Sequence, residues 1–156
     1  MLLSGLVTAS QQMAATRSRK AKTATLADLL QGMDPEETAI GVAYLAGELP
    51  QGRIGLGYAA VYAAEATPAP HPHLTLQEVD GTLTAIATMS GPGSKSARHD
   101  ALTALLAQAT ADEQVFLRRL ILRELRQGAL TGVMVDAIAA ANDVPAPEVR
   151  RAAMVG

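Results

Sequence analysis

Apolar residues recur along this chain at helical spacing. Leu26, Leu29 and Leu30, for example, stand at positions i, i+3 and i+4, which is the spacing of one buried face of an α-helix. Runs of β-branched residues that alternate with polar ones, as in a half-buried strand, are absent. The pattern therefore predicts an all-α protein. The expected helices span 2–16, 19–31, 35–47, 56–65, 76–89, 95–109, 111–126 and 131–142, and a short last helix spans 147–154.

Helix-start signals support these boundaries. A capping box places an Asp or Thr before the helix and a Glu three residues later, and Asp34–Glu37, Thr75–Glu78 and Thr110–Glu113 fit this arrangement. Ser94 follows "SGPG" and is expected to cap another helix. The Pro-rich segment "TPAPHPH", residues 67–73, cannot be helical throughout, and we interpret it as a linker.

The chain repeats itself at a constant offset. "ELPQG" begins at Glu48 and "ELRQG" at Glu124, and 124 − 48 = 76. The same offset needs no gap and pairs leucines with leucines and caps with caps. It predicts that one helix-helix-loop-helix unit occurs twice, in pseudo-symmetric halves at 1–66 and 74–143. The paired positions include Ser18 with Ser94, Arg19 with Lys95, Lys22 with Arg98, Leu26 with Leu102, Asp34 with Thr110, Glu37 with Glu113, and Gly52 with Gly128.

Composition narrows the class of protein. Among the 156 residues 49% are hydrophobic, which argues against disorder, and none is a cysteine, which excludes disulfides and thiolate metal sites. No apolar run is long enough to span a membrane, and the basic cluster follows the apolar start, unlike in a signal peptide. We expect a monomeric cytoplasmic protein. The net charge of −2 gives no overall basic surplus, so any anion site must come from local clusters of bases.

Two kinds of repeated position are candidates for phosphate binding. "SRKAK" and "SKSAR" each place bases at a helix start, where free backbone N–H groups favour an anion. Glycine turns can bring further N–H groups close to a phosphate oxygen. A capped, solvated helix start and a plain C-cap turn are the structural alternatives. The candidate residues are Ser18, Arg19, Lys22, Gly52, Arg53, Gly55, Ser94, Lys95, Arg98, Gly128, Ala129 and Gly132.

Two equivalent halves suit a partner with two equivalent strands. Duplex DNA has such local symmetry, and phosphate contacts give affinity without reading sequence. Because no recognition helix rich in Asn and Arg is evident, the minor groove is the expected site. The alternative is an all-α protein-interaction module that binds a partner helix through its Ala- and Leu-rich faces.

Nearly the whole chain resembles a known family. Residues 90–141, with "SGPGS", "FL" in the next helix and "LRQGALTGVM", are similar to the N-terminal DNA-binding domain of bacterial ATP-dependent DNA ligases. In the first half, "TRSRKAKTATLADLL" and "YLAGELPQGRIGLG" resemble the matching part of the same domain. The resemblance implies a pseudo-symmetric all-α domain that grips nicked duplex DNA through the minor groove. It also implies contacts by the two glycine turns and the Ser94 helix start. Eukaryotic members often have bases in the second turn, where this chain has Ala129 and Thr131.

The nucleotidyl-transfer motif of the family, Lys-x-Asp-Gly, is absent. The only lysines are Lys20, Lys22 and Lys95, and none has that context. We therefore expect no catalytic residue and no cofactor in this segment, while the resemblance implies ATP and Mg²⁺ for a catalytic domain C-terminal to it. His71 and His73 lack a third metal ligand and fit a solvated linker, so no metal site is expected.

Overall fold

The computed structural model describes residues 1–125, and within them the chain folds into seven α-helices. The all-α prediction is confirmed. The predicted helices over 131–142 and 147–154 lie outside the described residues, as does most of the second glycine turn. The seven helices are α1 (Leu3–Ala14), α2 (Arg19–Gln31), α3 (Pro35–Leu45), α4 (Tyr58–Ala63), α5 (Leu76–Thr88), α6 (Ser94–Ala107) and α7 (Ala111–Ile121).

Side-chain caps begin four of these helices, and three of the four are those that the sequence predicts. The hydroxyl of Ser18 accepts a hydrogen bond from the backbone N–H of Ala21 at the start of α2. The three expected capping boxes, which begin α3, α5 and α7, are all formed. Each satisfies two backbone N–H groups that a helix start would otherwise leave free.

The prediction that Ser94 caps α6 is wrong. The N-cap is Gly93, which has a left-handed φ of 81°, and Ser94 is already the first helical residue. The backbone closes the preceding turn itself, because the N–H of Ser94 donates to the carbonyl of Gly91 at 3.2 Å. Once in helical conformation, Ser94 cannot adopt the extended backbone that an N-cap serine uses.

One hydrophobic core joins residues from all seven helices. Helix α1 packs on α2 and on α7, and α5 packs on α6 and on α3. Of the leucines that the offset paired, Leu26 and Leu102 are fully buried, and Leu29 is partly buried against the core. Their burial confirms that the i, i+3, i+4 pattern marked the inward face of each helix.

Helices α1 and α5 begin side by side. The N–H of Leu3 donates to the carbonyl of Leu74 at 2.8 Å, and the N–H of Leu76 donates to the carbonyl of Met1 at 3.1 Å. These two bonds form an isolated antiparallel bridge between Leu2 and Thr75. The bridge ties the start of the chain to the end of the irregular segment that connects α4 to α5.

The Pro-rich segment 67–73 contains no helix, as expected. It is largely exposed, and the N–H of Ala69 holds it against the carbonyl of Ala109 at 2.9 Å. Within the described part of the chain, every helix is too short or too polar to cross a lipid bilayer.

Candidate nucleic-acid interface

The first glycine turn connects α3 to α4 at the protein surface. Gly52 and Gly55 have left-handed φ values of 72° and 77°. Between them Ile54 is only 4% exposed, because its side chain packs into the core. Arg53, on the other side of the turn, is exposed. A buried Ile54 thus anchors the turn while its glycines and Arg53 stay at the surface.

A side chain before the turn fastens it to α5. The amide nitrogen of Gln51 donates to Oδ1 of Asp80 at 2.6 Å and to the hydroxyl of Thr84 at 3.0 Å. The sequence analysis missed this contact, although Gln51 lies in the repeated "ELPQG". Nearby, burial raises the pKa of the Tyr44 phenol and the negative charge of Asp80 adds to the effect, so this side chain is neutral.

Arg98, on the first turns of α6, lies directly against the glycine turn. A Cβ atom at Gly55 would come within 2.9 Å of Cζ and 3.1 Å of Nε of Arg98. The guanidinium also donates a hydrogen bond to the carbonyl of Met89. The structure therefore brings together two predicted features that are more than forty residues apart in sequence, the first glycine turn and the second basic helix start.

The start of α6 presents unused hydrogen-bond donors. No acceptor within residues 1–125 receives the backbone N–H of Lys95 or Ser96, and no side chain caps the helix. Lys95 is exposed and Ser94 half-buried. A cleft of about 680 Å³ separates this helix start from α4. It is lined by Gly55, Leu56, Ala60, Ala63, Gly93, Lys95, Ser96, Arg98 and His99.

The charges at this surface are not neutralised internally. Within residues 1–125 the Met1 ammonium group forms an ion pair with Glu37, and neither residue lines the cleft. Neither Arg53 nor Lys95 pairs with a described carboxylate. Their charges remain available to an anion, and the left-handed turn and the helix start supply backbone dipoles beside them.

The first basic helix start lies elsewhere. Ser18 and Arg19 are exposed and Lys22 is half-buried, and none of them lines the clefts at the first glycine turn. The Ser18 hydroxyl is already used as the cap of α2. The second turn, represented by Gly128, Ala129 and Gly132, lies outside the described residues. The structure thus brings the first glycine turn and the second basic helix start together, places the first basic helix start away from them, and does not describe the second turn.

Arg118 has a packing role rather than a free charge. Its guanidinium donates to the carbonyl of Ala64 at 2.8 Å and lies 5.9 Å from the centre of the Tyr62 ring. The ring of Tyr62 contacts that of Tyr58 in a tilted arrangement, and the two ring centroids are 4.6 Å apart. These contacts hold the short helix α4, and with it one wall of the cleft, against α7.

The histidines form no described metal site. His71 and His73 are exposed in the irregular segment before α5. In residues 1–125 no three His, Asp or Glu side chains converge so that they could hold a metal ion. His99 lines the cleft beside α6, a position that the sequence analysis did not anticipate.

Sequence comparison relates the part of the chain that forms this surface to a known protein family. The profile of the family described as DNA ligase N terminus matches residues 51–139. The chain belongs to this family. The matched range begins at Gln51, so it contains the first glycine turn and the basic start of α6, while the start of α2 precedes it. The resemblance to DNA ligases in the sequence analysis is confirmed.

Full-length relatives carry the same similarity across the whole chain. It is 52% identical over 155 residues to a "Probable DNA ligase" of Rhodococcus opacus (strain B4), and 56% identical over 157 residues to one of Anaeromyxobacter sp. (strain Fw109-5). Each match covers 99% of this chain, but only 31% and 30% of the respective relative. The chain therefore spans about a third of the length of the DNA ligases it matches.

Proposed function

We propose that this segment binds nicked double-stranded DNA through its phosphates, as the N-terminal DNA-binding domain of an ATP-dependent DNA ligase. The observation that carries the proposal is the contact of Arg98 with Gly55, which unites the glycine turn and the basic start of α6 in one surface. Family membership alone would suggest a ligase segment. The contact supports this surface as the one that suits a polyanion.

The chemistry of this surface fits a DNA backbone. The free N–H groups of Lys95 and Ser96 point from a helix start, where the positive end of the helix dipole stabilises an anion. The Lys95 ammonium group adds a full charge. At Gly52 nothing lies within 4 Å of the position of an added Cβ atom, so a sugar-phosphate chain has room to approach the backbone there. Such contacts carry no base information, so binding is independent of sequence.

We further propose that the domain contacts both strands across the minor groove. The bounds of α2–α3 and α6–α7 support a duplication, because adding 76 to the ends of α3, Pro35 and Leu45, reproduces those of α7, Ala111 and Ile121. The crossed packing of α1 on α7 and of α5 on α3 fits a pseudo-two-fold arrangement. In this proposal the equivalent strand is contacted by Ser18, Arg19, Lys22, Gly128, Ala129 and Gly132.

Catalysis belongs to the rest of the parent chain. The Lys-x-Asp-Gly motif is absent from this segment, so adenylation takes place in a separate catalytic domain, which uses ATP and Mg²⁺. That domain is also the intramolecular partner of this segment. The parent would seal nicks in replication, repair or recombination, in the cytoplasm and as a monomer. Labelled ATP should leave no covalent adenylate on this segment, and a stable adduct on Lys20, Lys22 or Lys95 would contradict the assignment.

One observation favours the alternative of a protein-interaction module. The stacked rings of Tyr58 and Tyr62 are 66% and 43% exposed on α4, and exposed aromatic side chains are enriched at protein interfaces. Binding through such a surface depends little on salt, whereas phosphate binding weakens steeply as salt rises.

A salt titration with matched variants tests the proposed function. Binding of this chain to a nicked duplex should be measured by fluorescence anisotropy from low to moderate salt. Lys95→Ala should reduce the slope of log K against log salt by roughly 1 unit. The control is Arg119→Ala, which removes the same charge from an exposed position that lines a different cleft, between α1 and α7. Binding that is absent at low salt, or that does not depend on salt, would contradict the proposal.

A further inference from the structure

We infer that Arg123, just after α7, is a further phosphate-binding residue, which faces Arg53 across a second cleft at the glycine turn. This inference rests on the proposed DNA-binding function. It adds a contact from outside the motifs and explains an unusual backbone conformation.

The last turn of α7 closes through a left-handed residue. The N–H of Arg123 donates to the carbonyl of Leu120 at 3.1 Å, and the N–H of Glu124 donates to that of Arg119 at 2.8 Å. This pair of bonds is a Schellman motif, in which the residue after the C-cap has a positive φ and is usually glycine. Here that residue is Arg123, with φ of 58°, the only non-glycine residue with a positive φ among residues 1–125.

Helix α3 ends in the same motif but with glycine. Gly47 has a φ of 78°. Its N–H donates to the carbonyl of Tyr44 at 3.0 Å, and the N–H of Glu48 donates to the carbonyl of Ala43 at 2.9 Å. Gly47 is also crowded, since a Cβ atom there would lie 2.5 Å from the carbonyl oxygen of Leu125. Arg123 is exposed instead. Its backbone alone favours glycine, so the arginine occupies this position at some expense of stability, which is typical of functional residues.

Arg123 lies at a cleft that suits an anion. Arg123 lines a cleft of about 320 Å³ together with Gly52, Arg53, Ile54, Gly55, Leu56, Gly57 and Ile121. Arg53 comes from the glycine turn and Arg123 from the end of α7, so two arginines from different elements line the cleft. No carboxylate lines it, and neither arginine pairs with a described acid. A phosphate is the anion that this surface meets when DNA lies along the turn, and arginine binds phosphate by paired hydrogen bonds.

A purely structural role for Arg123 makes a different prediction. Cations near a helix C-terminus interact favourably with the dipole, and Arg118 and Arg119 already stand in the last turn of α7. If Arg123 only stabilised the helix end, its removal would lower stability and leave DNA binding of the folded protein unchanged.

Arg123→Gly and Arg123→Asn separate the two roles, because both residues tolerate a positive φ while they remove the charge. Each variant should keep or raise the melting temperature. Each should reduce the slope of log K against log salt for nicked-duplex binding by roughly 1 unit relative to the unchanged chain. Arg123→Lys, which keeps the charge, should retain most of that slope. Arg119→Ala, one turn earlier, is the control for lost charge.

The outcomes distinguish this inference from the proposed function. If the unchanged chain binds with a steep salt dependence and both Arg123 variants match its slope, the inference fails while the proposed function stands. If the unchanged chain does not bind nicked duplex at low salt, both fail. A lower melting temperature in both variants with unchanged affinity would assign Arg123 to the helix end alone.

Discussion

The guanidinium of Arg98 covers Gly55 so closely that a single added carbon at Gly55 would collide with it, at 2.9 Å from Cζ. Gly55 follows α3 in the first half of the chain, and Arg98 stands near the start of α6 in the second. The contact fixes the direction in which the glycine turn faces. It also orients the guanidinium, which donates a hydrogen bond to the carbonyl of Met89.

Gly55→Ala should destabilise the protein, because the new Cβ both displaces Arg98 and strains a backbone with φ of 77°. The backbone part is worth about 1–2 kcal/mol, and displacement of the guanidinium adds to it. In an Arg98→Ala background the added carbon has room, so the penalty for Gly55→Ala should shrink to the backbone part. Urea unfolding of the four proteins in this double-mutant cycle measures the difference. Additive effects of the two substitutions would show that the contact is not energetically important.

Gly47→Ala should be more harmful than Gly52→Ala, although both glycines have a φ above 70°. A Cβ atom at Gly47 would lie 2.5 Å from the carbonyl oxygen of Leu125, whereas nothing lies within 4 Å at Gly52. Gly52→Ala should therefore cost only the left-handed backbone, about 1–2 kcal/mol, while Gly47→Ala should cost roughly 2–5 kcal/mol because overpacking is added. Thermal or urea unfolding without DNA checks both. Equal losses would mean that the chain near Leu125 moves aside freely.

Asp34→Asn should change how stability depends on pH. The hydrogen bond from the backbone N–H of Glu37 holds the pKa of the Asp34 carboxyl below its ordinary value of 3.8. Its ionised form therefore stabilises the folded state fully above pH 3.8, and this contribution is lost as the pH falls through the lowered pKa. Asparagine can also accept the capping hydrogen bond, but its amide has no charge and does not titrate, so the contribution of the carboxylate charge is lost.

Melting temperatures of the unchanged chain and of Asp34→Asn, measured between neutral pH and pH 2, test this pH dependence. Above the ordinary pKa of the Asp34 carboxyl, the unchanged chain should have the higher melting temperature. The difference between the two melting temperatures should disappear in acid. Thr75→Ser, an uncharged change at the cap of α5, is the control and should shift the whole curve without changing its shape. Parallel curves for Asp34→Asn and the parent would contradict the prediction.

Local signals explain most of what could be predicted. The bounds of α2 were predicted to the residue, and the capping boxes at Asp34, Thr75 and Thr110 all formed. A cap and its partner are three residues apart, so their geometry depends on one turn of chain. Ser94 was predicted wrongly as a cap because left-handed Gly93 starts α6 instead. The equivalence of the two halves, and the positions of the second turn, remain predictions.

The sequence by itself determined the helices, the faces they bury, the family, and the residue types able to hold a phosphate. These properties depend on periodicity and on contacts within a few residues, which a linear pattern contains. Only the tertiary structure decided that Arg98 lies on Gly55, that Gln51 ties the turn to Asp80, and that Arg123 shares a cleft with Arg53. Each of these pairs comes from separate helices or turns. Their distance depends on how all the helices pack in one core, and the spacing of residues along the chain does not encode it.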